Sequence, residues 1–410
     1  MNNLTSYPKE KINILLLENI SENAVLQFNS AGYKNVKKIK GALSESELLK
    51  EIKNVHLIGI RSKTQLTPEV LMAGKKLLAA GCYCIGTNQV NLQSATDQGI
   101  TIFNAPYSNT RSVAELVIGA SIMLLRRIPE KNNAAHSGIW LKDASGSYEL
   151  RGKKLGIIGY GNIGLQVSVL AEALGLEVYY YDAEPKLPVG NAKPVRTLKE
   201  LLQTANIISM HIPETPSTKG LIGKDEIACM QKGSILINYA RGNVIDLPAL
   251  YQAIKNEHIA GAAIDVFPEE PEKTGSVFTS VLQNLPNVIL TPHIGGSTEE
   301  AQLNISEDVT FKLLNFLEKG ITTGSLSVPA LNLPVTPETH RILHIHKNIP
   351  GVLSDITLKL SSANINIIGQ YLKTNDRIGY VVLDVDKNMS EEAFELIKDA
   401  KGTIKSRMLW

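Results

Sequence analysis

The sequence predicts an α/β protein: a doubly wound parallel sheet in the middle, a smaller parallel α/β unit before it, and a βαββαβ module at the end. Three observations predict this. Short apolar runs alternate with helical patterns over residues 11–105 and again over 152–294. The run Lys154-Leu-Gly-Ile-Ile-Gly159-Tyr-Gly161-Asn-Ile-Gly164 breaks from an apolar strand straight into a glycine-rich turn that opens a helix. After residue 337 the rhythm changes to strand, helix, two strands, helix, strand.

In the first stretch the pattern reads as strand Ile12 to Leu17, helix Glu22 to Ala31, helix Glu45 to Lys53, strand Val55 to Ile60, helix Pro68 to Ala80 and strand Thr101 to Asn104. From Arg111 to about Ala135, apolar residues at helical spacing, from Val113 through Leu116, Ala120 and Leu124 to Ile128, predict one long helix. The middle stretch supplies six strands: Leu155 to Ile158, Val178 to Tyr181, Ile207 to His211, Ser234 to Asn238, Gly261 to Asp265 and Val288 to Thr291. A helix follows over Ser297 to Lys319, with acids after Thr298 suited to its first turn, then a Gly, Ser and Pro-bearing linker from Gly320 to Pro337. The last stretch reads as strand Ile342 to His346, helix Pro350 to Ala363, strands Asn366 to Lys373 and Ile378 to Val385, helix Ser390 to Ala400 and strand Thr403 to Leu409. That order is ferredoxin-like.

A balance of 42 basic against 40 acidic residues, net +2, creates no field for nucleic acid or an anionic membrane surface. Small molecules and further copies of the chain are the expected partners. Cys82, Cys84 and Cys229 have no metal-type spacing and fit a reducing cytoplasm, where they read as small buried apolar residues. The first residues lack a basic stretch followed by an apolar one, and no apolar run approaches membrane-spanning length, so a soluble, unexported protein is expected.

The glycine run carries the first functional reading. Gly159 permits the tight turn, Gly161 lets backbone approach a pyrophosphate, and Gly164 lets helix and strand pack closely. Asp182 ends the next strand, where a ribose 2′-hydroxyl would be held. Its charge repels a 2′-phosphate, so NAD is expected rather than NADP.

Ligands of doubly wound sheets sit beyond the carboxyl ends of the strands. Three such ends carry chemistry. Arg241 follows Ser234 to Asn238 and offers a bidentate grip for a carboxylate; Glu270 follows Gly261 to Asp265; His293 follows the last strand. An imidazole suits removal of a hydroxyl proton near neutrality, and a carboxylate beside it fixes its tautomer and raises its pKa. His211 also follows a strand and ranks second as base, and Glu269 competes with Glu270.

These strings resemble the D-isomer-specific 2-hydroxyacid dehydrogenases, and among them the bacterial branch that oxidises 3-phospho-D-glycerate and carries a C-terminal ACT domain. The likeness rests on Asn104-Ala-Pro-Tyr-Ser-Asn109-Thr-Arg, on the glycine turn, on Arg241-Gly, on Ala-Ala-Ile-Asp265-Val-Phe-Pro, on Thr-Pro-His293-Ile-Gly-Gly-Ser-Thr, and on His346-Lys-Asn348-Ile-Pro-Gly351. It implies a Rossmann NAD domain over 109–296, a flavodoxin-like substrate domain built from 1–108 and 297–335, and an ACT domain over 339–410, with the substrate cleft between the first two. It implies Arg241, Glu270 and His293 as the catalytic set, with Glu270 chosen because it directly precedes proline. It implies NAD contacts from Asn162, Ile163, Tyr239, Ala240, Gly295 and Gly296, besides Gly159, Gly161, Gly164, Asp182 and Asp265.

A phosphorylated substrate needs cations, and Arg61, Ser62 and Lys63, with Lys40 and Asn109, are the expected holders of phosphate and carboxylate. Lys63 stands where the resembled enzymes carry arginine, so a point charge replaces a fork. In the ACT domain the resemblance implies an L-serine effector at His346, Asn348, Asn366 and Ile367, in a homotetramer. His344 and His346 share a strand face, but a third metal ligand is not evident, and no metal is expected. Two departures stand out: Tyr239-Ala240 replaces an Ala-Ser pair, and Val335-Thr-Pro337 replaces a Gly-Gly hinge.

The expected reaction is oxidation of 3-phosphoglycerate to 3-phosphohydroxypyruvate, inhibited by serine, with 2-oxoglutarate reduction as a possible side activity. The alternatives are another D-2-hydroxyacid, or a non-catalytic NADH sensor.

Overall fold

A computed structural model describes residues 7–271, 275–334 and 336–409. It divides into two compact units, residues 1–108 with 302–410 and residues 109–301.

The first unit opens with a five-stranded parallel sheet: β1 Ile14–Leu16, β2 Val36–Lys38, β3 Leu57–Ile60, β4 Ala79–Cys82 and β5 Thr101–Asn104, ordered β2-β1-β3-β4-β5. This is the flavodoxin-like order. β3, β4 and β5 are buried along their whole length, which is why they read as unbroken apolar runs. Helix Glu299–Lys319 covers one face through Ile305, Val309, Leu313, Phe316 and Leu317, packed against Leu16, Phe28 and Phe103. Leu48, Ile52, Val70 and Leu71 cover the other.

Two strands of this sheet escape the sequence pattern. Residues 68–80 do not form one helix: Pro68–Ala73 is helical, Gly74 ends it, and Leu77 to Ala80 leads into β4. A buried central strand and a buried helical segment have the same apolar run, so periodicity does not separate them. β2 is a half-exposed edge strand of Val-Lys-Lys, too polar to register. The helix Leu92–Asp97 was likewise not predicted.

The second unit holds a seven-stranded parallel sheet: β6 Lys154–Ile158, β7 Glu177–Tyr181, β8 Lys193–Pro194, β9 Ile207–Met210, β10 Ser234–Asn238, β11 Ile259–Ile264 and β12 Val288–Leu290. The order is β12-β11-β10-β9-β6-β7-β8, which reverses direction between β6 and β9, the switch point of a Rossmann sheet. The two-residue β8 adds one strand to the six expected. Two apolar clusters cover its two faces.

The single long helix expected over 111–135 is two, Thr110–Leu125 and Ile128–His136. Arg127 adopts a left-handed backbone (φ +54°) between them, and Pro129 sits in the first turn of the second. Proline is tolerated there, so the apolar spacing continues across a break it does not reveal.

Residues 339–409, within the first unit, form an antiparallel sheet of β13 Thr339–Lys347, β14 Ile367–Thr374, β15 Ile378–Asp386 and β16 Thr403–Leu409, ordered β14-β15-β13-β16. Helices Val352–Ser362 and Ser390–Lys398 cover one face, where Ile356, Leu360, Ala393 and Ile397 are buried. The linker covers the other face: Val328 and Leu333 pack against Leu343, Tyr380 and Val382. The ferredoxin-like reading of this segment holds.

Candidate active site

The glycine turn is built as its residue types require. Gly159 has φ +92°, and a Cβ there would lie 2.6 Å from the His211 carbonyl oxygen; at Gly164 it would lie 2.2 Å from the Gly159 oxygen. A Cβ at Gly161 would meet nothing within 4 Å, so that side of the turn is open. Gly161 caps helix Asn162–Ala173 without a side-chain hydrogen bond and no acid occupies the first turn, so the N–H groups around Asn162 and Ile163 face outward at the positive helix end. Asp182, directly after β7, accepts from Tyr160 N at 2.8 Å and from Glu184 N at 2.9 Å. An open anion cradle with a carboxylate at the neighbouring strand end fits NAD.

The polar strand ends beyond β10, β11 and β12 carry the rest. Asn238 holds the turn after β10: its Nδ2 donates to the Arg241 carbonyl at 2.9 Å and its Oδ1 accepts from Ala240 N. The exposed Arg241 donates from Nη1 to the Ala240 carbonyl and keeps its other donors outward. Gly242 is required behind it, because a Cβ would lie 2.0 Å from the Phe267 carbonyl carbon. Tyr239 and Ala240, expected to contact NAD, have buried side chains.

His293 sits at φ +54°, outside the favoured region for a residue with a Cβ. Buried Asp265 holds that backbone: Oδ1 accepts from Thr291 Oγ1 at 2.6 Å and Ile294 N at 2.8 Å, and Oδ2 from Gly295 N at 2.7 Å. This aims the ring at Glu270, whose Oε2 lies 2.7 Å from His293 Nδ1, while Oε1 accepts from Phe267 N at 3.0 Å. Glu269 is an exposed loop acid with no such contact among the described residues.

The hydrogen bond to Glu270 raises the His293 pKa above 6.5 against the opposing effect of burial. For Glu270, burial pushes the carboxyl up, but the His293 bond, the Phe267 N–H and the nearby Arg241 charge outweigh it and leave it below 4.5. Since Nδ1 faces the carboxylate, Nε2 is the nitrogen free to take a proton. The rival base His211 is enclosed, its pKa pushed down to about 3 by burial and its Nε2 spent on Ser209 at 2.8 Å. Asn109 packs beside Gly296, where a Cβ would lie 2.0 Å from its Nδ2, and its buried Oδ1 lacks a hydrogen-bond partner among the described residues.

Residues 118–295 match the D-isomer specific 2-hydroxyacid dehydrogenase NAD binding domain, and residues 342–405 the AHAS small subunit-like ACT domain. The chain is 50% identical to D-3-phosphoglycerate dehydrogenase of Haemophilus influenzae over all of both chains. It is also 50% identical to that of Escherichia coli K12 over 99% of each. The chain belongs to the D-isomer specific 2-hydroxyacid dehydrogenase family. It is an NAD-dependent oxidoreductase, and it is similar in fold to the family's solved structures. One is a D-lactate dehydrogenase from Aquifex aeolicus complexed with NAD and lactic acid (27% identity, TM-score 0.65, covering 78% of this chain and 100% of that one).

In a family that uses NAD, Asp182 is the residue whose loss has a directional signature. Asp182→Ala removes the carboxylate expected to accept from the ribose and to repel a 2′-phosphate. NADH should bind about tenfold more weakly, and the preference for NADH over NADPH should narrow, as read by nucleotide fluorescence titration.

The first unit carries the remaining expected residues. Arg61, Ser62 and Lys63 form the turn after β3, with Ser62 and Lys63 exposed, and Lys40 is exposed after β2. Sequence reasoning missed what shapes this turn. Glu18, buried directly after β1 in a left-handed backbone (φ +59°), accepts from Arg61 N at 3.1 Å, Lys63 N at 3.0 Å and Thr64 N at 2.8 Å. The rule that polar residues at strand ends carry function could have found it. In the ACT domain, His346 Nδ1 bonds the Lys347 carbonyl at 2.9 Å and its buried Nε2 has no partner among the described residues. Asn348 Nδ2 donates to the Asn375 carbonyl, Asn366 is exposed and Ile367 half-buried. His344 stacks on His346 with centroids 5.5 Å apart, and burial pushes its pKa down to about 4.

Proposed function

We propose that the chain oxidises the 2-hydroxyl of 3-phospho-D-glycerate to the ketone of 3-phosphohydroxypyruvate in the cytoplasm, the first step of L-serine synthesis. The observation that carries this is the full-length likeness to D-3-phosphoglycerate dehydrogenases, and the His293–Glu270 pair supplies the chemistry. Arg241 grips the substrate carboxylate and polarises the forming carbonyl. His293 Nε2 takes the hydroxyl proton, and Glu270 stabilises the resulting imidazolium through Nδ1. Bound NAD supplies the hydride acceptor. Asp182 and the Gly159–Gly164 turn would hold the nucleotide, with Tyr239, Ala240, Asp265, Gly295 and Gly296 as further contacts.

Arg61, Ser62 and Lys63, with Lys40 and Asn109, hold the phosphate and carboxylate. Glu18 positions that turn without touching substrate, so Glu18→Ala should raise KM for 3-phosphoglycerate about tenfold or more, with kcat little changed. Steady-state kinetics check the split.

L-Serine is the proposed effector, held by His346, Asn348, Asn366 and Ile367; the unpartnered His346 Nε2 supports a polar ligand there. The oligomer is a homotetramer, paired in part through the edge of the ACT sheet. The decisive assay follows NADH absorbance with 3-phosphoglycerate, with and without L-serine, in the parent and in Arg241→Ala. Turnover suppressed by serine and abolished by the substitution is expected. Turnover indifferent to serine removes the effector reading; no turnover with phosphorylated or plain hydroxyacids, with NADH binding intact, makes the chain an NADH sensor.

A further inference from the structure

A cavity of about 330 Å³ opens within the first unit where strand β16 faces the first sheet. Lys75 and Lys76, in the turn before β4, line it together with Lys405 and Arg407 of β16, His56 and Tyr33. Among the described residues no acid lines it, and Leu78, Leu317 and Leu409 give it apolar walls. Four fixed cations around one small, partly enclosed volume repel one another, and such an arrangement calls for a counter-charge.

The protein partners of these cations are mostly carbonyls. Lys405 Nζ donates to the Leu77 carbonyl at 2.6 Å, and Arg407 Nη2 to the Phe316 and Leu317 carbonyls at 2.7 and 3.0 Å, near the C-terminal end of helix Glu299–Lys319. Lys76 reaches the side-chain oxygen of Asn54 at 3.0 Å. These bonds explain where the side chains lie but cancel no charge. The Arg407 guanidinium lies 5.0 Å from the centroid of the Phe316 ring, while its Nε and Nη1, and the whole ammonium group of Lys75, have no hydrogen-bond partner among the described residues. Among the described residues near the cavity, the Glu318 carboxylate sits beside Tyr33 and is already paired with Lys9. Burial, reinforced by Arg407, pushes the Lys405 pKa down to about 8, and burial with Lys76 lowers that of His56 below 6.5.

We propose that this cavity is a binding site for a compact tetrahedral dianion, a sulfate or phosphoryl group, which bridges the Lys75–Lys76 turn of the first sheet to Lys405 and Arg407 of the C-terminal module. The guanidinium fork supplies two parallel donors, the ammonium groups close the charge, and the apolar walls accept a short organic stem.

The test is calorimetric titration of the full-length chain with sodium sulfate, repeated in buffers of different ionisation enthalpy. An anion beside Lys405 favours its charged form. Near pH 8 about half of Lys405 is protonated, so binding must take up protons; near pH 6 Lys405 is already charged, and any uptake there belongs to His56. Lys75→Ala/Lys76→Ala, on the exposed rim, should weaken binding about tenfold with unchanged melting temperature in sulfate-free buffer. Lys405→Met should weaken binding and remove the uptake near pH 8, while Lys63→Ala, in the turn proposed to hold the substrate phosphate, should leave both unchanged. Displacement of sulfate by glycerol 2-phosphate would assign an organic phosphoryl group, and resistance to it an inorganic ion; both support the site. Affinity and proton uptake identical in the parent, the double variant and Lys405→Met would overturn it, as would sulfate binding lost only in Lys63→Ala.

Discussion

Replacing His293 with asparagine will lower kcat for 3-phosphoglycerate oxidation by about 10²- to 10⁴-fold and leave NADH affinity near the parent value. Among the described residues near Arg241, the imidazole is the side chain suited to exchange a proton near neutrality, and its Nδ1 is already committed to Glu270 at 2.7 Å. Glu270→Gln tests the same pair by its pH dependence. With neutral His293 as the proposed base, oxidation in the parent should rise with pH through a value above 6.5, because Glu270 holds the ring's pKa up. The glutamine variant should move that limb to lower pH while reducing the plateau. The reverse reduction needs the imidazolium and should fall with pH through the same value. A limb that does not move in Glu270→Gln would separate the carboxylate from the base.

The stability linkage runs both ways. The raised His293 pKa contributes stability below about pH 6.5 that is lost as pH rises through the folded value. The lowered Glu270 pKa contributes stability above its ordinary value that is lost as pH falls through the depressed one. The pair is fully charged only between the two folded values. Half-exposed side chains screen it, so its chief consequence is catalytic.

Asp384→Ala is expected to destabilise the first unit by about 3–5 kcal/mol. Asp384 is fully buried and takes two bonds from Arg341, Nε at 2.7 Å and Nη2 at 2.9 Å, plus one from Thr336 Oγ1 at 2.8 Å. Arg341 in turn donates to the Lys319 and Pro334 carbonyls. Alanine leaves a buried guanidinium without its counter-charge and releases both ends of the linker at once. Urea unfolding with circular dichroism should show the loss. Replacing both partners together, Arg341→Met with Asp384→Leu, should recover much of it; a double variant as unstable as the single one would mean that something other than the stranded charge is responsible.

The same network accounts for the departure in the linker. Of the departure Val335-Thr-Pro337, Val335 lies outside the described residues; on either side of it Thr336 is tied to Asp384, Thr339 to the Thr336 carbonyl and Pro334 to Arg341. The absence of a Gly-Gly pair was visible in the sequence. These ties were not, because Arg341, Asp384 and Lys319 are far apart along the chain.

Glu18 and the 68–80 segment show where reading residues stops. Glu18 looks like any acid beside a turn, and its role depends on the Arg61–Thr64 backbone arriving from more than forty residues away. Leu77 to Ala80 satisfies a helix and a strand equally, and only its place between β3 and β5 decides for the strand. The break at Arg127 is similar: the apolar stripe continues through it, and the left-handed backbone is a choice of packing.

What the chain alone determined is what local chemistry dictates. The glycine turn needs residues without a Cβ, strand ends need polar side chains, and the apolar rhythm separates parallel from antiparallel sheets. These placed the Rossmann sheet, the ferredoxin-like module and the Arg241, Glu270 and His293 positions. Tertiary structure decided which groups meet. It set the Glu270 carboxylate against His293, enclosed His211 as a neutral imidazole, spent Asp265 on holding the His293 loop, and gathered Lys75, Lys76, Lys405 and Arg407 around one cavity. Each of these depends on contacts between residues distant in sequence, whose energies follow distance and burial in the folded chain rather than residue type.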